Sequence, residues 1–128
     1  MRKPTVLAVD DDHGNLLAVE ATLSPQFEVI TAGSAHAAIE IVRSRNDIDV
    51  ILMDIQMPDM DGLAATALLK ADPGTTRIPI IAVSAHAMAG DADRALAAGC
   101  VAYIPKPVSR AALYEALGGA LGSGWQWS

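Results

Sequence analysis

The chain is poor in several residue types that would each point to a function. Its 128 residues contain one cysteine, Cys100, so no disulfide can close within the chain and no thiolate cluster is available for a metal. A reducing compartment is the expectation. Aromatic residues make up only 4% of the sequence, against a hydrophobic fraction of 52%. The core must therefore be built from Ala, Val, Ile and Leu, which suits helices packed on an aliphatic sheet. Bases are outnumbered, 9 Lys and Arg against 15 Asp and Glu, for a net charge of −6, and they are not clustered. Counterion release, the main source of affinity for nucleic acid, has little to act on here, and direct nucleic-acid binding is not expected.

Long hydrophobic runs are also missing. A membrane span needs roughly 18 uninterrupted apolar residues. Asp54 breaks one candidate, and Pro79 and His86 break another. The basic start, Met1-Arg2-Lys3, leads into an apolar segment, Val6 to Val9, that is too short for a signal-peptide core and ends in three aspartates. These features predict a soluble, cytoplasmic protein without membrane insertion. Its length suits one domain, expected over residues 1–121. Residues 122–128 read as a flexible Gly/Ser tail, although Trp125 and Trp127 leave a docking role open.

What the chain does have is organised around Val50-Ile51-Leu52-Met53-Asp54, a continuous apolar run that delivers one carboxylate and is then cut by Met57-Pro58 and Asp61-Gly62. Such a run reads as a central parallel strand buried on both faces. Other strand-like runs are Val6 to Val9, Phe27 to Thr31, Ile78 to Ser84 and Val101 to Ile104.

Between them lie helical patterns. Leu16, Val19 and Leu23 share one face, as do Ala38, Ile41 and Val42 after a Ser34 cap. Asp61 can cap a helix carrying Leu63, Ala67 and Leu68, and an Ala-rich helix from about Met88 to Ala98 would end at a left-handed Gly99. Ser109 can cap a final helix with Leu113, Leu117 and Leu121 in register.

Strict alternation of strand and helix implies right-handed crossovers and a doubly wound (βα)5 α/β fold, with a parallel sheet in the order 2-1-3-4-5. In that order the first and third strands are neighbours. Asp10-Asp11 and Asp54 would then converge on one crevice at the carboxyl edge. Carboxylates brought so close raise one another's pKa unless a cation is present, and hard oxygen ligands favour Mg²⁺, with Mn²⁺ as an alternative. Ser84 and Lys106, at the ends of the fourth and fifth strands, add a hydroxyl and a cation that could hold phosphoryl oxygens.

This set of residues resembles the receiver domain of two-component response regulators. It comprises Val9-Asp10-Asp11, Asp54 with Met57-Pro58 and Asp61-Gly62, Ser84-Ala85 and Lys106-Pro107. The resemblance runs from about Lys3 to Leu121 and implies a flavodoxin-like fold. Asn15 and Ala85-His86-Ala87-Met88 are similar to the subgroup of stand-alone cell-cycle regulators and hybrid-kinase receivers.

The resemblance also implies a set of roles. Asp54 would be the phosphoacceptor, taking a phosphoryl group from a histidine kinase or histidine phosphotransfer protein. Asp11, Asp54 and the backbone carbonyl of Gln56 would hold Mg²⁺ directly, with Asp10 acting through water. Lys106 and Ser84 would hold the phosphoryl oxygens, Lys106-Pro107 would be cis, and Ser84 with Tyr103 would form the switch.

An effector would read the face made by the fourth helix, fifth strand and fifth helix, with the protein a monomer or a weak phosphorylation-dependent dimer. His86 and Pro107 would border the site. Such a domain is mainly a signalling switch rather than a turnover enzyme.

Two rival readings are a receiver-like interaction module without phosphorylation, and a haloacid dehalogenase-like phosphatase using Asp10 and Asp12. The intact residue set argues against the first. Against the second, Gly14 stands where that motif usually carries Thr or Val, and the chain is short for that fold.

Overall fold

A computed structural model of the chain describes residues 3–85 and 90–122. Ten elements alternate along it: β1 (Thr5–Val9), α1 (His13–Leu23), β2 (Glu28–Ala32), α2 (Ala35–Ser44), β3 (Val50–Asp54), α3 (Gly62–Ala71), β4 (Ile80–Ser84), α4 (Asp91–Ala98), β5 (Ala102–Pro105) and α5 (Arg110–Leu121). The strands form one parallel sheet in the order β2-β1-β3-β4-β5, as the alternation predicted.

All five residues of β1, β3 and β4 are buried, because these strands are covered on both sides. The pleat sends alternate residues to opposite faces. Leu7, Val9, Ile51, Met53, Ile80 and Ala82 pack with α2, α3 and α4 residues such as Val42, Leu69 and Ala95. Val6, Val50, Leu52, Ile81, Val83 and Ile104 pack on the other face, with Leu23 of α1 and Leu113 and Leu117 of α5. A two-sided aliphatic core of this kind explains why the central strands read as unbroken apolar runs.

Helix starts follow the expected chemistry. Ser34, Asp61 and Ser109 are N-caps whose side chains accept the backbone N–H of Ala37, Leu63 and Ala112. Asp12 does the same for Asn15, so α1 starts at His13, earlier than the first apolar residue of its face suggested. Gly99 has φ 114° and closes α4 as a left-handed cap.

One expectation needs correction. The face of α3 is not Leu63, Ala67 and Leu68 but Gly62, Ala65, Thr66 and Leu69, while Leu63 is half-buried and Leu68 is 47% exposed. The stretch Gly62-Leu63-Ala64-Ala65-Thr66-Ala67-Leu68-Leu69 is small or apolar nearly all round, so periodicity gives no contrast. Strand edges also shift: β4 begins at Ile80, after Pro79, and β5 at Ala102 rather than Val101. Met88, expected to open α4, and all of the tail beyond Gly122 lie outside the described residues.

Candidate functional site at the carboxyl edge

The acidic crevice is built by topology. β1 lies beside β3, with Val9 opposite Met53, so the residues that follow the two strands emerge side by side. Carboxylate oxygens of Asp10, Asp11 and Asp54 lie within 4.8 Å of one another. Asp10 and Asp54 are buried and Asp11 is exposed, which leaves the cluster open to solvent on one side.

β4 and β5 complete the rim. Asp54 pairs in register with Val83, and the next residue, Ser84, pairs with Pro105, so Ser84 and Lys106 arrive at the same edge. The N–H of Lys106 donates to the Ser84 carbonyl at 2.7 Å, and the Lys106–Pro107 peptide is cis, as the resemblance implied. Lys106 Nζ donates to Asp10 Oδ2 at 2.8 Å and lies 3.4 Å from Asp54 Oδ2.

Asp10 is held from several sides. Its Oδ1 accepts the Asp12 N–H at 2.9 Å, and its Oδ2 accepts both Lys106 Nζ and Asn15 Nδ2, the latter at 3.2 Å. Burial alone would raise its pKa, but the hydrogen bonds from Lys106, Asp12 and Asn15, with the lysine charge, bring it below the ordinary carboxylate value.

Asp54 goes the other way. Burial pushes it up to about 6, reinforced by the charge of Asp10 and opposed by the Gln56 N–H on Oδ1 at 3.1 Å and by Lys106. Burial also opposes the charge on Lys106, yet its two carboxylate partners hold its pKa above the ordinary lysine value.

When all are ionised, three carboxylates and one ammonium leave two negative charges, the charge of one divalent cation. The donors are hard oxygens with no thiolate among them. The residues therefore fit Mg²⁺ chemically.

The loop leaving β3 is shaped by close contact. A Cβ at Gly62 would lie 2.1 Å from the Asp54 carbonyl oxygen, and the Gly62 N–H donates to the Ile55 carbonyl at 2.7 Å. Only glycine lets α3 begin this close to the acid. Farther along the loop, Asp59 reaches the start of α2, where its carboxylate accepts the N–H groups of Ala35 and His36 and meets His36 Nδ1 at 2.7 Å. The His36 backbone and ring together hold Asp59 down at about 2.

Tyr103 is half-buried and packs on the α2–α3–α4 side of the sheet, with Met57 and Met60 in the same cluster. Gln56 is exposed beside Asp54, and Pro107 lines a cavity of about 460 Å³ between α1 and α5 together with Asp10, Asn15 and Lys106. His86 lies outside the described residues. Sequence reasoning did not find the contact of Asp59 with α2 or that of Asn15 with Asp10. The second had a signal, since an N-cap at Asp12 turns residue 15 back toward the end of β1.

The fold and this constellation define a flavodoxin-like α/β domain with an acidic crevice at its carboxyl edge, and comparison with known proteins gives the family. The model of the response regulator receiver domain matches residues 6–118, and the chain belongs to that family.

Among its relatives, the histidine-protein kinase BarA of Escherichia coli K12 is 43% identical over 114 residues, a match covering 88% of this chain and 12% of the kinase. The chain thus corresponds to a small part of that protein's length. The polar-differentiation response regulator DivK of Brucella ovis is 38% identical over 119 residues, covering 92% of this chain and 96% of DivK. Among solved structures, the receiver domain of the sensor histidine kinase PA1611 of Pseudomonas aeruginosa is 34% identical, with a TM-score of 0.85 over 94% of this chain and 99% of that one. That structure has a magnesium ion coordinated in its active site cleft.

Proposed function

We propose that the chain is a phosphoacceptor switch, in which Asp54 receives a phosphoryl group from the phosphohistidine of a kinase or phosphotransfer protein. The observation that carries this reading is the convergence of Asp10, Asp11 and Asp54 within 4.8 Å, with Lys106 paired to both buried acids. An Asp54 carboxylate oxygen forms the new bond to phosphorus as the bond from phosphorus to the imidazole nitrogen breaks, and the leaving imidazole keeps the electron pair. Asp54 is mostly ionised at neutral pH even with its raised pKa, so no base is needed to activate it.

Asp11, Asp54 and the Gln56 carbonyl would hold Mg²⁺, with Asp10 contributing through water, and the ion would supply positive charge to offset that on the phosphoryl oxygens. Lys106 turns from the carboxylates to one phosphoryl oxygen, and the Ser84 hydroxyl donates to another. Residues 1–121 form the functional unit. The new charge is read by Ser84 and then by Tyr103, which repacks beneath the α4-β5-α5 face where an effector docks.

The kinship with BarA and DivK supports both a hybrid-kinase and a stand-alone setting. The rival nucleophile pair, Asp10 and Asp12, is disfavoured because the Asp12 carboxylate caps α1 and is not part of the acidic cluster. Incubation with acetyl phosphate and Mg²⁺, read by intact mass, should add one base-labile phosphoryl group to the wild type and none to Asp54→Asn. Labelling of Asp10 in an active Asp54→Asn protein would overturn the assignment.

A further inference from the structure

Asp10 Oδ2 accepts two hydrogen bonds, one from Lys106 Nζ at 2.8 Å and one from Asn15 Nδ2 at 3.2 Å. The two donors differ in what the switch asks of them. Lys106 is drawn toward a phosphoryl oxygen in the reading above, on which this inference rests, whereas Asn15 sits on the first turn of α1 with its backbone N–H fixed to the Asp12 cap at 3.1 Å. A carboxylate only accepts, so the Asn15 side chain must present its NH₂ to Asp10.

We infer that Asn15 is a positioning residue that keeps Asp10 paired and oriented when Lys106 leaves it for the phosphoryl group. A buried carboxylate that loses its ammonium partner is costly unless another donor stays in place. Asp10 is only 7% exposed, so bulk solvent replaces the lysine poorly on Oδ2. With Asn15 on Oδ2 and the Asp12 N–H on Oδ1, the acid keeps a partner on each oxygen throughout the exchange. The amide thus acts most strongly in the phosphorylated state, when the lysine is elsewhere.

The test compares wild type with Asn15→Leu, which is close in shape and has no donor, and with Asn15→Gln, which keeps the amide on a longer arm. Beryllofluoride with Mg²⁺ stands in for the phosphoryl group. Its affinity is read by NMR titration, and thermal unfolding is measured without beryllofluoride. Asn15 is exposed at the helix start, so the variants should fold.

The expected result is a loss of beryllofluoride affinity of about tenfold in Asn15→Leu, the size of one hydrogen bond to a charged group, with partial recovery in Asn15→Gln and little change in the unliganded melting temperature. Wild-type affinity in Asn15→Leu would overturn the inference, and so would a stability loss as large as the affinity loss, which marks a structural role. A wild type that itself gives no Mg²⁺-dependent beryllofluoride response overturns the phosphoacceptor reading, and the inference with it.

Discussion

Asp54 is a destabilised acid. Its folded pKa of about 6 lies above the ordinary value of 3.8, so folding disfavours its charged form. A group of this kind contributes stability in full below its unfolded pKa and loses that contribution as the pH rises through about 6. In the absence of divalent metal, thermal unfolding should therefore show wild-type stability falling from mildly acidic to neutral pH. Asp54→Asn removes the titrating group and should be more stable than wild type at neutral pH, by on the order of 2 kcal/mol, with the advantage vanishing near pH 4. A pH-independent difference between the two proteins would show that burial and the Asp10 charge do not strain Asp54.

Asp54 and Asp10 were singled out in the sequence because each ends an apolar run. Their unequal titration was not legible, since it depends on which oxygen Lys106, Gln56 and Asn15 reach.

At the level of single elements, legibility followed contrast. β3 and β4 stood out because five consecutive buried residues are apolar until they end in Asp54 or Ser84. α5 was readable because Leu113 and Leu117 recur among polar and small residues. α3 was not, because its alanines and leucines surround the axis, and only packing against β3 and the neighbouring α2 and α4 selects Ala65, Thr66 and Leu69.

Substitution gives a direct check on that face. Leu68→Gln, at an exposed site, should change stability by no more than about 0.5 kcal/mol, whereas Leu69→Ala, at a site 1% exposed, should cost about 3 kcal/mol in denaturant unfolding. The reverse ranking would restore the sequence-based face. The grip of Asp59 on the start of α2 was beyond sequence reading for a different reason. Nothing local says which helix end a loop carboxylate 24 residues away will meet.

Across the whole molecule, the sheet order was the most legible property, because alternation of strand and helix leaves few handed solutions. It also placed the acids together before any distance was known. What the order could not supply was charge balance, which comes from Lys106 and, in the function proposed above, from a bound cation. Adding Mg²⁺ to metal-free protein should therefore raise the unfolding temperature, by an amount equivalent to about 2.7 kcal/mol at a hundredfold excess over the dissociation constant. Asp11→Asn should lose most of that gain while keeping its fold, since Asp11 is exposed and outside the core. No Mg²⁺ effect on wild-type melting would argue against a metal in the crevice.

The bond from Lys106 to Asp10 spans 96 residues, tying the end of the last strand to the end of the first. Its consequence belongs to folding. The acids of β1 and β3 are brought side by side when those strands pair, but their shared counter-charge arrives only after β5 has docked against β4. Closing so long a loop is entropically slow, and a nascent or truncated chain that stops short of β5 must carry its acidic crevice without the lysine's charge. Completion of the sheet and arrival of the crevice's counter-charge are thus one event, since Lys106 reaches Asp10 only when the final strand is in place.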